Sequence, residues 1–251
     1  MKVTVCELPD DRKAFESAWE ELVAYIRKQQ SDLVLLPELP FSSWFARTPQ
    51  FDAQIWQRAQ EGHDVMMNRL SELAPTIVLG THLVIEEERH LNRGFCWTPT
   101  EGYKGVHDKY YFPNEEDFYE RCWFDRNRRD FALAHVQDLT IGFLICTEVM
   151  FNEWARYYGR QGANIIAVPR ASSLDYERWV VAPRMAAIAS GAFVISSNRV
   201  DDHLFGGLGL VIGPNGDVLA STSRQTPFVT VDIDLTESAE AKKTYPRDVL
   251  E

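Results

Sequence analysis

The feature that most constrains this chain is a series of short, almost wholly apolar runs, each of which ends at a turn-forming or polar residue. They lie at 33–36, 76–79, 139–145, 165–168 and 193–196. A strand with one solvated face alternates apolar and polar residues, whereas continuous apolar runs are typical of strands buried on both faces. The chain is therefore expected to build its core from buried strands in sheets whose faces are covered by helices, and this pattern does not fix the number of sheets.

Amphipathic stretches separate these runs. Between residues 15 and 29, apolar side chains recur every three or four positions, which predicts a helix. Similar sequence predicts helices at 55–73, 152–161 and 184–190, and residues 2–6 read as the first strand. Two further apolar runs, 208–212 and 218–220, flank Asn215-Gly216, a strong signal for a hairpin. The pattern predicts a single α/β domain over residues 1–251.

Composition limits the partners and the compartment. The chain has 251 residues and a net charge of -11, which argues against nucleic acid or an anionic membrane surface as its main partner. No apolar run approaches the roughly 18 residues of a membrane span, and the N-terminus does not read as a signal peptide. The four cysteines form no CxxC pair, and the six histidines lack metal-ligand spacing. We therefore expect a cytoplasmic protein without a metal or another cofactor.

Three polar residues follow predicted strands and could share one site. Glu38 follows the run at 33–36, Cys146 follows the run at 139–145, and Lys109 follows a weaker strand signal. In α/β proteins, ligands bind beyond the carboxyl ends of the strands, which favours a common site. Each residue alone has a simpler explanation: the cysteine could be a core residue, the lysine a surface charge and the glutamate a cap.

The chemistry of the trio is coherent. Cys146 could attack a carbonyl as a thiolate, and Glu38 could remove the thiol proton and later deliver it to a leaving nitrogen. Lys109 could stabilise the oxyanion that forms on the attacked carbonyl. The backbone amide of Thr147, directly after the nucleophile, could be a second oxyanion donor.

Three segments around these residues resemble those of the nitrilase (carbon–nitrogen hydrolase) superfamily. The family's PEL-type segment resembles Leu35-Leu36-Pro37-Glu38-Leu39. Its KxHxP segment resembles Asp108-Lys109-Tyr110-Tyr111-Phe112-Pro113. Its IGxxIC(W/Y)(D/E) segment resembles Ile141-Gly142-Phe143-Leu144-Ile145-Cys146-Thr147-Glu148. The resemblance extends to about Asp234. It implies a four-layer αββα sandwich, a Glu-Lys-Cys triad and a homodimer or higher homo-oligomer.

Within that superfamily, residues 117–124 resemble N-carbamoylputrescine amidases and β-ureidopropionases, in which a second glutamate precedes paired aromatic residues. Counting from Lys109 places this glutamate at Glu120, with Glu115 and Glu116 as competitors. The implied role of Glu120 is to orient Lys109 and keep it charged. The aromatic residue Trp123 is expected to contact substrate.

Three departures from the family pattern affect the expected pocket. Tyr111 stands where the family often has a histidine, and it is taken as a substrate-binding residue. Thr147-Glu148 replaces the common aromatic–Asp pair. Arg170 follows a buried strand, and its planar fork suits a substrate carboxylate or an internal partner such as Glu148 or Asp175.

These features predict a thiol hydrolase that acts on small amide or N-carbamoyl substrates and releases ammonia or an amine. Nitrile hydrolysis by the same trio is the alternative within enzymes. A catalytically silent binding or assembly protein on the same scaffold is the alternative outside enzymes, and the presence of all three catalytic residue types disfavours it.

Overall fold

The computed structural model describes residues 1–249, which contain twelve β-strands and five α-helices. The strands are β1 (Lys2–Pro9), β2 (Leu33–Leu35), β3 (Ile77–Glu86), β4 (Arg89–Thr98), β5 (Gly102–Asp108), β6 (Ala134–Val136), β7 (Leu139–Phe143), β8 (Ile165–Arg170), β9 (Phe193–Val200), β10 (Leu210–Ile212), β11 (Val218–Ser221) and β12 (Phe228–Asp232). The helices are α1 (Arg12–Gln29), α2 (Ala53–Arg69), α3 (Asn152–Arg160), α4 (Tyr176–Ser190) and α5 (Thr236–Ala241).

The strands form one hydrogen-bonded path, β5-β4-β3-β2-β1-β9-β8-β7-β6, that changes sheet at β1. The first half of β1 pairs with β2, and residues 7–9 pair with β9. One sheet therefore holds β5, β4, β3 and β2, and the other holds β9, β8, β7 and β6. Around β1 the pairing of β2, β3, β8 and β9 is parallel, as continuous apolar runs require.

Side-chain alternation along these strands creates four layers. One face of each sheet turns toward the other sheet, and their buried side chains form the central core, which includes Val3, Leu35, Leu79, Ile141, Ile165 and Ile195. The outer face of the first sheet packs against α1 and α2, and the outer face of the second packs against α3 and α4. The result is the expected αββα sandwich.

Helix α3 packs unusually close to its neighbours. A Cβ on Gly142 of β7 would lie 2.5 Å from the ring of Tyr158, so the ring rests on a strand position that only glycine can supply. On the other side of α3, a Cβ on Gly159 would lie 2.3 Å from the carbonyl oxygen of Ser190 in α4. This packing fixes the strand that leads to Cys146.

The predicted elements are confirmed where the apolar pattern was strong, and the Asn215-Gly216 hairpin joins β10 to β11. Strand β4 was not predicted, and β5 had only the weaker strand signal before Lys109. Their sequences carry many polar residues, and the turn between β3 and β4 is made by Glu87 and Glu88, which adopt positive φ without the usual Asn-Gly signal.

A helix can cross a membrane only if it is long enough and apolar enough. Within residues 1–249, no helix combines the length and the apolar composition needed to cross one.

Candidate active site

Three chain segments bring the predicted trio to one end of the sandwich. Glu38 lies three residues after β2, Lys109 directly follows β5, and Cys146 begins the 3₁₀ turn Cys146–Met150 after β7. All three side chains are buried. The Glu38 backbone N–H donates to the Arg170 carbonyl at the end of β8 (3.1 Å), which ties the two sheets together at the site.

The buried ammonium of Lys109 lies between the carboxyl groups of two glutamates. Its Nζ donates to Glu38 Oε1 at 2.7 Å and to Glu120 Oε2 at 2.6 Å. Asn92 on β4 donates its side-chain amide to the same Glu38 oxygen at 2.7 Å, and its backbone carbonyl accepts from the Lys109 N–H. We call Glu38, Asn92, Lys109 and Glu120 the lysine centre.

The charges of the lysine centre shift its pKa values. Burial alone would lower the pKa of Lys109, but the carboxylates of Glu120 and Glu38 outweigh burial and hold that pKa above its usual value. Burial also raises the pKa of Glu120 to about 8, although Lys109 opposes that rise. The second oxygen of Glu120, Oε1, is buried without a hydrogen-bond partner among the described residues. Lys109 is therefore a fixed cation, and Glu120 holds an unsatisfied polar atom beside it.

Cys146 occupies a strained backbone position. Its φ is 49°, in the left-handed region, where a non-glycine residue costs about 1–3 kcal/mol. Its Sγ lies 3.7 Å from the carbonyl oxygen of Ala171, and the Ala171 N–H donates to Glu38 Oε2 at 3.1 Å. Residue 171 thus joins the cysteine and the glutamate. Burial, with the nearby Glu38 carboxylate, raises the pKa of Cys146 well above its ordinary value, so the resting sulfur is a thiol.

Of the three candidate glutamates after Lys109, the structure brings Glu120 to the lysine. The 3₁₀ turn Glu120–Cys122 directs its carboxylate inward, whereas Glu115 and Glu116 are exposed. The geometry therefore agrees with the position inferred from the family resemblance.

Arg170 differs from its expected arrangement. Its guanidinium is buried and donates to Ser196 Oγ (2.7 Å), Ser172 Oγ (2.9 Å) and the Leu208 carbonyl, all neutral oxygens. The expected ion pair with Glu148 or Asp175 is wrong, because Glu148 binds other donors and Asp175 pairs with Arg178. Burial lowers the pKa of Arg170 to about 10. Its fork is thus committed to protein oxygens, so the structure lends no support to a substrate contact.

The two aromatic residues expected to contact substrate are engaged with protein groups. The Tyr111 ring stacks on Phe151 with centroids 4.0 Å apart, and its hydroxyl accepts from Arg129 at 2.6 Å. Trp123 is buried and donates its indole N–H to the Thr48 carbonyl. Their substrate contacts stay predictions. Thr147 lies in the first turn of the 3₁₀ segment, a position compatible with donation from its backbone N–H to an oxyanion.

Sequence reasoning missed Asn92, Ala171 and Arg199. Asn92 lies on the unpredicted strand β4, and Ala171 acts through its peptide group, which leaves no trace in side-chain identity. Arg199 donates to the Glu38 carbonyl at 3.0 Å and to the Leu39 carbonyl, fixing the backbone around Glu38. Arg199 lies in a segment that resembles the family, but that resemblance did not indicate its role.

Acidic, histidine and cysteine side chains are the usual protein ligands of metal ions. Among residues 1–249, no group of three or more of them is arranged to hold a metal ion.

Comparisons with known proteins identify the family of this chain. A profile of the family described as carbon-nitrogen hydrolase matches residues 2–243. The 2-oxoglutaramate amidase of Bacillus subtilis (strain 168) is 35% identical over 107 residues, 41% of this chain and 41% of that protein. The nitrilase of Pyrococcus abyssi (strain GE5 / Orsay) is 26% identical over 225 residues, 86% of this chain and 82% of that protein.

Among solved structures, the carbon-nitrogen hydrolase from Helicobacter pylori G27 is similar with a TM-score of 0.87 and 22% identity. The match covers 98% of this chain and 94% of that chain. The match to the fold is nearly complete, whereas the match to the amidase covers less than half of that protein's length. On the family profile, this chain belongs to the carbon–nitrogen hydrolase family of the nitrilase superfamily.

Proposed function

We propose that this protein hydrolyses a non-peptide C–N bond in small amide or N-carbamoyl substrates, with Cys146 as nucleophile. The observation that carries the proposal is the buried Lys109, held between Glu38 and Glu120, with Ala171 joining Glu38 to Cys146. A buried ion pair is expensive in desolvation and is a weak way to gain stability, so a fully buried cation among carboxylates points to chemistry.

The first half of the reaction uses the neutral thiol. Because the pKa of Cys146 is raised, attack needs a base, and the Glu38 carboxylate takes the thiol proton as the sulfur bonds to the carbonyl carbon. Lys109 has three N–H donors, of which two are used by glutamates, so the third is available for the oxyanion. The Thr147 backbone N–H is the second donor. The C–N bond then breaks, and the leaving nitrogen takes the proton from Glu38.

The second half regenerates the enzyme. Glu38, again a carboxylate, takes a proton from water, whose oxygen attacks the thioester carbon. The same two donors stabilise the second oxyanion. The C–S bond breaks, the sulfur recovers the proton held by Glu38, and the acid product leaves. Glu120 orients Lys109 throughout, and its unpartnered Oε1 is placed to exchange a hydrogen bond with a substrate N–H.

Nitrile hydrolysis is the second candidate, because the relative from Pyrococcus abyssi is named a nitrilase. The same trio could attack a nitrile carbon, and the intermediate would then need two waters rather than one. The cytoplasmic location stays a prediction, supported by four free cysteines, which suit a reducing compartment. The homodimer also stays a prediction.

The test is ammonia release from a panel of small amides, N-carbamoyl amines and nitriles, measured for the wild type and for Cys146→Ala. We expect turnover of at least one amide or carbamoyl compound, with none in the variant and with no effect of a chelator. Cys122→Ala is the matched control, because Cys122 is a free cysteine outside the trio. Turnover that survives Cys146→Ala, or turnover of nitriles alone, would overturn the proposal.

A further inference from the structure

Glu148 is a fully buried glutamate that the proposed reaction does not use. Its Oε1 accepts from the Tyr110 N–H at 2.7 Å, and its Oε2 accepts from the Ile145 N–H at 2.9 Å and from His107 Nε2 at 2.8 Å. Tyr110 directly follows Lys109, and Ile145 directly precedes Cys146. One carboxylate therefore joins the segments that carry the lysine and the nucleophile.

These two segments come from different sheets. Lys109 follows β5 at the end of the first sheet, and Cys146 follows β7 in the second. Charge-assisted hydrogen bonds to a carboxylate are roughly twice as strong as neutral ones, which makes Glu148 a stiff connection. Ala171 connects Cys146 to Glu38, and Glu148 connects Cys146 to the segment that carries Lys109. Each of the two partners is therefore linked to the nucleophile through a different residue.

The hydrogen-bond partners of His107 fix its charge. Its Nδ1 lies 3.1 Å from the Asp130 carbonyl, which can only accept, and its Nε2 faces the Glu148 carboxylate, which also accepts. Both ring nitrogens must then carry hydrogen, which makes His107 an imidazolium. Burial alone would lower the pKa of His107, but Glu148 and Asp108 outweigh it and raise that pKa. Glu148 and His107 form a buried ion pair behind the site.

We infer that Glu148, held by His107, is a positioning residue that sets the distance between Cys146 and Lys109. The inference rests on the proposed function, in which Lys109 must meet the oxyanion that forms on the substrate carbonyl oxygen when Cys146 attacks the carbonyl carbon. A displacement of about 1 Å can cost roughly 10²-fold in rate, and a residue that does not contact substrate should act on kcat rather than on KM.

The test is Glu148→Gln, which keeps the side-chain length but turns an N–H toward donors. We expect kcat to fall about 10²-fold with KM changed by less than about threefold. The rate at which iodoacetamide alkylates Cys146, followed by peptide mass spectrometry, should fall about threefold, since a displaced Lys109 no longer favours the thiolate. The control is Glu153→Gln, which removes an exposed carboxylate five residues away and should change neither rate.

A folded Glu148→Gln protein with the kcat and alkylation rate of the wild type would overturn the inference, as would a rise in KM alone. If Glu148→Gln does not fold, His107→Gln and His107→Leu decide. The glutamine keeps an N–H donor for Glu148 and should retain most activity, whereas the leucine should lose it; equal activity in both would contradict the inference. A wild type that hydrolyses nothing in the panel refutes the proposed function, and Cys146 alkylation still tests the positioning.

Discussion

Of the buried cations at the active-site end of this protein, Lys109 and Arg170 differ most clearly in their surroundings. Lys109 and Arg170 are each 1% exposed. The carboxyl groups of two glutamates bind Lys109, whereas hydroxyl and carbonyl oxygens bind Arg170. Burial acts on both in the same direction, yet the pKa of Lys109 is raised and that of Arg170 is lowered to about 10.

The difference separates a chemical role from a mechanical one. Carboxylates beside a cation can accept and return protons, and in the lysine centre they lie next to a cysteine. Neutral oxygens around Arg170 cannot move protons at ordinary pH, but they fix three chain segments: the end of β8, β9 and the loop before β10. Burial alone therefore does not distinguish the two cations, whereas the identity of their partners does, and it supports the catalytic role that we propose for Lys109.

The largest effect is expected from Lys109→Met, which keeps the side-chain volume and removes the charge. Loss of an oxyanion donor costs about 10²–10³-fold in kcat, and the loss of the cation beside Glu38 adds to it. Ammonia release by purified, folded protein measures the change. Lys104→Met on the exposed edge of β5 is the matched control and should behave as wild type. If both variants kept full activity, the lysine centre would be structural, as we argue for Arg170.

Glu120→Gln should have the next largest effect. Groups that orient a functional residue typically cost about 10- to 100-fold when they are changed, and the variant weakens the hold on Lys109. Steady-state kinetics on the best amide substrate measures the loss in kcat. The exposed Glu115→Gln is the control. Equal losses in the two variants would mean that Glu120 has no special relation to Lys109.

Arg170→Lys tests the other side of the comparison. A lysine cannot reproduce three directed hydrogen bonds, so we expect a loss of about 1–3 kcal/mol in the free energy of unfolding. Because the fork is used internally, KM for carboxylated and neutral amides should change by the same factor. Urea unfolding and kinetics on both substrate classes measure these. A rise in KM of about tenfold for carboxylated substrates alone would restore the substrate-binding role suggested by the sequence.

The smallest expected effect is on the pH dependence of stability. Burial raises the pKa of Glu120 from an ordinary 4.5 to about 8. Between these values the unfolded chain has released the proton and the folded protein still holds it, so this group's contribution to stability falls as pH rises, by at most about 1.4 kcal/mol per pH unit. Relative to wild type, Glu120→Gln should therefore become more stable as pH increases from roughly 5.5 to 7.5 in urea unfolding. A constant difference would show that Glu120 ionises normally.

The comparison also marks where sequence reasoning succeeds. Glu38 and Cys146 follow apolar runs whose strand assignment is local, so their common site could be predicted. Glu120 followed from the family resemblance, which implies a second glutamate that a count from Lys109 places there. Arg170 also follows a buried strand, and nothing local distinguishes it from a ligand-binding arginine. Its serine partners come from other segments, and only the packed structure brings them together.

The same limit explains the contacts that were missed. Asn92 lies on β4, a strand that was not predicted because it carries many polar residues, and its contact with Glu38 spans 54 positions. The link through Ala171 uses a peptide group, which every residue possesses. The alternation of apolar runs and helices predicts an α/β domain, whereas the four layers followed only from the family resemblance. Neither indicates these tertiary contacts.

The most direct test of the account is the identity of the acylated residue. The wild type is mixed with an excess of its best amide, quenched in acid within the first turnover and digested for peptide mass spectrometry. We expect a mass increase equal to the substrate acyl group on the peptide that carries Cys146, and none in Cys146→Ala. Turnover without an acyl adduct, or an adduct on Cys122 instead, would contradict it.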